Sequence, residues 1–164
     1  MTPFARRTFA ALRIALGWLL LWAFLDKLFG LGFSTPLGQG WVAGVSPTAG
    51  FLQHGTAGAL APLFRELAPS ALVAWLFMGG LLFGGLSFLL GVGLRVAGTL
   101  SAVLFFLMYL AAALPPKTNP VIDTHILQAL LALAAAAWPE MGDTWGLGKA
   151  WKKTKAVKQH PWLA

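Results

Sequence analysis

Apolar residues run in four long blocks separated by short polar interruptions. The blocks cover about residues 9–29, 71–94, 96–114 and 121–138. Each is close to the ~20 residues that cross a bilayer as a helix. The pattern predicts an all-α integral membrane four-helix bundle. Between the first two blocks lies a stretch of about forty residues, 30–70, longer than an ordinary connection. Within it "SPTAGFLQHG" predicts a short helix, with Ser46 as N-cap and Pro47 at the first helical position. "LAPLFREL", Leu60 to Leu67, is amphipathic and suits a membrane surface. "PPKTNP" joins blocks three and four as a short, stiff loop.

Composition supports the membrane assignment. Hydrophobic residues make up 58% of the 164 and charged residues only 10%, against about a quarter charged in a soluble domain. There is no cysteine, which excludes thiolate chemistry and thiolate metal sites within this sequence. His54, His125 and His160 are too scattered to suggest a metal site, and none is expected.

Charge gives the orientation. Nine of the 12 basic residues fall on one side of the expected bundle: Arg6, Arg7, Arg13, Arg95, Lys149, Lys152, Lys153, Lys155 and Lys158. Lys27, Arg65 and Lys117 fall on the other. The asymmetry places both termini in the cytoplasm and makes 30–70 an outer loop. Arg13, near the inner end of its span, is expected to snorkel towards water. Residues 1–151 read as the membrane domain and 152–164 as a basic cytoplasmic tail, which orients the protein and meets anionic lipid. Nucleic acid is not an expected partner. The arginine pair in "ARRTFAA" hints at an export signal, but Asp26-Lys27 follows the apolar run in place of a small-residue cleavage site, so the span is expected to be retained.

Polar residues in membrane helices are costly and mark function. Asp26 and Lys27 close the first span, Asp123 and His125 open the fourth, and Tyr109 lies near the end of the third, all at one level. Trp22 shares a helix face with Asp26, and Gln128 with His125. On a helix Asp123 and His125 stand about 200° apart, so one arrangement turns His125 into the bundle while Asp123 caps the helix or pairs across it. Asp26, Lys27 and Asp123 could equally pair and orient helices, and neutral His125 packs well without a chemical role. His54 defaults to a solvated loop position, and His160 to a non-functional one. The pair Gly80 and Gly84 in span two fits either a dimer or cofactor contact or close packing inside the bundle.

Several of these strings together resemble one family. "LDKLFGLGFSTP", "SPTAGFLQHG", "WLFMGGLLFGG", "LGVGLRVAG", "NPVIDTHI" and "WGLGKAW" occur in the order seen in DoxX/DoxD membrane proteins, over about residues 10 to 151. The likeness is closest to the DoxD-like subunit of thiosulfate:quinone oxidoreductase. It implies a subunit of a prokaryotic cell membrane that passes electrons from thiosulfate, or a related sulfur compound, to membrane quinone. Under that reading Asp26, Lys27, Asp123 and His125 are the catalytic candidates. Trp22, Tyr109 and Gln128 hold the quinone, and Lys27, Arg65 and His54 hold the sulfur oxyanion. Expected partners are the bilayer, quinone, a DoxA-like subunit or other redox partner, and a second copy of the chain. The alternative is a non-catalytic membrane anchor or assembly subunit of a redox complex.

Overall fold

The computed structural model describes residues 1–116 and 120–164. Lys117, counted above in the charge asymmetry, lies outside the described residues.

The first helix, α1, spans Pro3–Phe29. It starts earlier than the apolar run because Thr2 caps it, accepting from Ala5 N, with Pro3 in the first turn. Gly30, at φ 67°, closes it by donating to the Asp26 carbonyl. A short helix, α2, covers Ala61–Glu66. Next come α3, Ala71–Leu90, capped by Ser70, and α4, Leu94–Ala112. α3 stops short of residue 94 because Gly91 takes the left-handed conformation, φ 71°, and donates to Ser87 O. The helix α5 runs only Thr124–Ala137.

By length and composition, α1, α3 and α4 are each long and apolar enough to cross a membrane. The fourth block holds a shorter helix than its apolar run: the 14 residues of α5 rise roughly 21 Å, against a hydrocarbon core of about 30 Å. Asp123 is the reason at one end. It sits in extended conformation, φ −118°, and spends a carboxylate oxygen on Ile126 N, which starts the helix there. At the other end Pro139 steers Trp138 out of helical conformation.

α1 packs along α3, α3 against α4, and α4 along α5. Edge-to-face stacking of Phe9 on Trp138, at 5.0 Å, helps to close the ring between α1 and α5. Leu16, Leu20, Met78, Leu81, Phe88 and Phe105 form the centre of the core. Small residues let the backbones approach. A Cβ on Gly85 would lie 2.8 Å from Leu21 N, and one on Gly98 2.5 Å from Ala132 O. The Gly80 and Gly84 pair belongs to the same packing, since a Cβ on either meets α4, at Leu104 or Ser101. Large apolar side chains also face outwards along the helices. Trp18, Leu72, Trp75, Leu100, Val103, Leu127 and Leu130 are all exposed, a surface suited to lipid and unsuited to water.

One end of the bundle carries the 30–70 loop, and the other carries both termini. At the loop end Ser46 Oγ accepts from Ala49 N, as expected of a cap. The turn continues into a wide helical segment, Phe51–Gly55. Strand β1, Ala57–Gly58, pairs in parallel with β2, Ala113–Leu114, tying the loop to the end of α4. Leu52, Phe64, Ala68 and Ala111 form a small second core beneath it. At the terminal end the basic segment is folded. α6, Gly148–Lys152, and α7, Lys155–Gln159, are followed by a turn whose Leu163 O accepts from the Trp151 indole at 2.7 Å. Arg95 N donates to Ala164 O.

Arg13 does not snorkel. It is fully buried at the terminal end. Its guanidinium donates to Phe88 O and to Leu89 O (3.0 Å) at the end of α3, and to Met141 O (3.2 Å), Thr144 O (3.3 Å) and Trp145 O (3.0 Å). Guanidinium has five N–H donors in a planar fork, and here all five are used. The negative end of the α3 dipole supplies part of the counter-charge. Close backbone approach makes the cradle: a Cβ on Gly142 would lie 2.3 Å from Gly91 O. Trp145 takes φ 54°, the one positive φ outside glycine among the described residues, and its carbonyl meets Arg13. That conformation costs about 1–2 kcal/mol, which the charge-assisted hydrogen bond offsets.

Candidate functional site

The loop end of the bundle gathers the polar side chains singled out in the sequence, but it distributes them among separate contacts. Asp26 is 1% exposed. Its carboxylate accepts from Phe33 N (3.2 Å), Ser34 N (2.9 Å), Ser34 Oγ (2.7 Å) and Thr35 N (2.9 Å). Four donors occupy its lone pairs, so its visible task is to fasten the 33–35 turn over the end of α1. Lys27, one residue on, is half-buried, with Nζ 6.0 Å from the centre of the Phe77 ring on α3. Among the described residues no hydrogen bond or ion pair joins Asp26 or Lys27 to Asp123 or His125.

Asp123 and His125 do meet. The His125 ring places Nδ1 2.6 Å from Asp123 Oδ2. The angular separation expected of two helical residues does not apply, because Asp123 is extended and stands outside the helix. One oxygen caps α5 through Ile126 N at 3.1 Å and the other holds the imidazole. Asp123 thus caps the helix, one of the expected alternatives, and its second oxygen pairs with its neighbour His125, a contact that helical spacing does not predict. With Nδ1 donating to the carboxylate, Nε2 of the neutral ring is an acceptor; in the imidazolium it is a donor. The side chains are 24% and 19% exposed, so the pair is partly accessible.

Tyr109 on α4 donates its hydroxyl to Val121 O at 2.7 Å. It anchors the approach to α5 and stacks on Phe106 at 6.2 Å. Gln128, one turn beyond His125, is half-buried. Trp22 belongs to an aromatic ladder on α1, stacked on Trp18 at 5.6 Å and edge-on to Phe33 at 5.0 Å. Arg65 is exposed, with Nη2 3.3 Å from Thr56 O, and His54 is exposed in the loop. Among the described residues no group of three or more His, Asp or Glu has the geometry of a metal site.

An apolar groove of about 430 Å³ opens between α1, α3 and the loop. Phe24, Leu28, Trp41, Trp75, Met78 and Leu82 line it, and Trp41 meets Trp75 edge-to-face at 4.5 Å. Lys27 lies on the adjoining face of α1. The sequence reading did not anticipate this groove. Its signal was available in the two tryptophans, but 34 residues separate them and only the fold brings them together.

Fold and composition thus define a helical bundle of membrane character, with a carboxylate–imidazole pair at the start of α5. No family model, no curated protein and no solved structure matches the chain.

Proposed function

We propose that this protein is a membrane oxidoreductase subunit that passes electrons from thiosulfate, or a related sulfur compound, to membrane quinone. The observation that carries the reading is the Asp123–His125 pair, whose carboxylate orients the ring and leaves Nε2 for a proton acceptor. The motif resemblance to DoxX/DoxD proteins supplies the substrate class, and the outward apolar surface supplies access from lipid.

The chemistry balances as two half-reactions. Two thiosulfates join through a new S–S bond to give tetrathionate and release two electrons. Quinone takes up those two electrons and two protons to become quinol. His125 delivers protons through Nε2, and Asp123 stabilises the imidazolium between transfers. A quinone fits the residues present on two counts: a carbonyl needs a donor, which Nε2 of the His125 imidazolium offers, and a ring and tail need flat apolar walls. The Phe106–Tyr109 stack and Gln128 are candidates for the ring, and the Trp41–Trp75 groove for the tail. Lys27, with Arg65 and His54, provides cationic or donor groups for a sulfur oxyanion. Asp26 takes no chemical step in this reading; it fixes the 33–35 turn over the end of α1. The basic asymmetry supports cytoplasmic termini and a site on the outer face, and the motif resemblance supplies the prokaryotic cell membrane.

A second reading is favoured by the fate of two resembling motifs. "LDKLFGLGFSTP" contains both Asp26 and the turn it binds, and "WGLGKAW" contains the carbonyl of Trp145 that holds Arg13. Both motifs therefore have a structural account, as they would in a non-catalytic anchor for a DoxA-like or other redox partner. Purified protein supplied with thiosulfate and a soluble quinone separates the two. The catalytic reading expects quinol and tetrathionate in equal amounts. Failure alone, with activity on adding a partner subunit and retained activity in His125 variants, supports the anchor.

A further inference from the structure

The terminal end holds a second opening, of about 670 Å³, between the first turns of α1 and the 139–149 segment. Arg6, Arg7 and Lys149 line it, with Trp138, Glu140 and Asp143. We propose that this cleft binds the phosphate of an anionic phospholipid. The argument rests on charge, accessibility and level. Among the described residues, the side chains of Arg6, Arg7 and Lys149 have no hydrogen bond or ion pair, and all three are exposed. Of the two acids, Asp143 is already neutralised by Lys152, with Nζ 2.7 Å from Oδ2. Three cations therefore face one unneutralised carboxylate, Glu140.

The cleft wall is held in place. Arg13 grips the carbonyls of Met141, Thr144 and Trp145, and Leu147 N donates to Leu90 O at 2.7 Å. The wall carrying Glu140, Asp143 and Lys149 is thus fixed to α1 and α3. Level identifies the source of phosphate. Arg6 and Arg7 lie just before the apolar run of α1, where headgroups border the hydrocarbon. Phe4, 80% exposed beside them, offers an apolar contact to the glycerol and upper acyl region. A soluble anion would gain nothing from it. The site differs from diffuse attraction by the basic tail, because Lys153, Lys155 and Lys158 do not line the cleft.

The test is native mass spectrometry of the full chain in detergent, titrated with phosphatidylglycerol, phosphatidylcholine and inorganic phosphate. One phosphatidylglycerol should bind with preference over phosphatidylcholine, and phosphate should not compete at equal concentration. The triple variant Arg6→Gln, Arg7→Gln, Lys149→Gln should lose roughly a hundredfold in affinity, at about fivefold per cation. A control triple, Lys153→Gln, Lys155→Gln, Lys158→Gln, removes equal charge and should keep it. Glu140→Gln should bind more tightly. Equal losses in both triples would replace the site with diffuse attraction. Competition by phosphate would make it a soluble-anion site, and absence of lipid preference would overturn the proposal outright.

Discussion

Removing the Arg13 guanidinium leaves five backbone carbonyls without their donor, those of Phe88 and Met141 buried and those of Leu89, Thr144 and Trp145 partly buried. Each buried group left unsatisfied costs about 1–3 kcal/mol. Arg13→Met is therefore expected to destabilise the protein by at least about 3 kcal/mol, read as an earlier unfolding midpoint in detergent. Arg13→Lys, with three donors for five acceptors, should fall between Met and the native residue. A fully native midpoint for Arg13→Met would mean that the cradle carries no weight. Asp26→Ala removes the acceptor of four hydrogen bonds and should loosen residues 33–35 in hydrogen exchange. Spacing marks Asp26 as a polar group at the end of a membrane helix and lets Arg13 snorkel; it identifies the partners of neither. Depth in a helix is legible from spacing. The carbonyls of residues 141–145 and the amides of 33–35 are not, because backbone groups have no letter in a sequence.

At the scale of elements, α5 is the unusual helix. Its first turn depends on the Asp123 cap, and its approach depends on Tyr109 holding Val121 O. Tyr109→Phe removes that bond at a cost of about 1 kcal/mol. Faster hydrogen exchange is expected around residues 121–126 with α1 and α3 unchanged; uniform exchange throughout would contradict the anchoring role. The spans of α1, α3 and α4 were legible because a long apolar run has few alternatives to a membrane helix. Their ends were less so. Gly91 and Asp123 stop or start helices by local conformation, within runs whose apolar character continues past them. The short helices of the loop were legible where a cap residue announced them, as Ser46 did.

For the whole molecule, the two ends of the bundle have different work. The terminal end is locked by Arg13 and rich in cations, and the loop end holds the Asp123–His125 pair. Reporter fusions after residue 164 and within residues 38–58 should give opposite signals, with the terminal end cytoplasmic. Matching signals would refute that topology. The pairing of Asp123 with His125 was legible only as a possibility, since helical geometry sets the two apart, and the extended conformation of Asp123 brings them together. The most direct test of the account is turnover per folded molecule in His125→Ala and His125→Gln, with thiosulfate and a soluble quinone. If His125 carries protons, both variants should lose about 10²–10⁴-fold, the range of general acid–base groups, while inserting and folding normally. Normal turnover in folded His125→Ala would contradict the account.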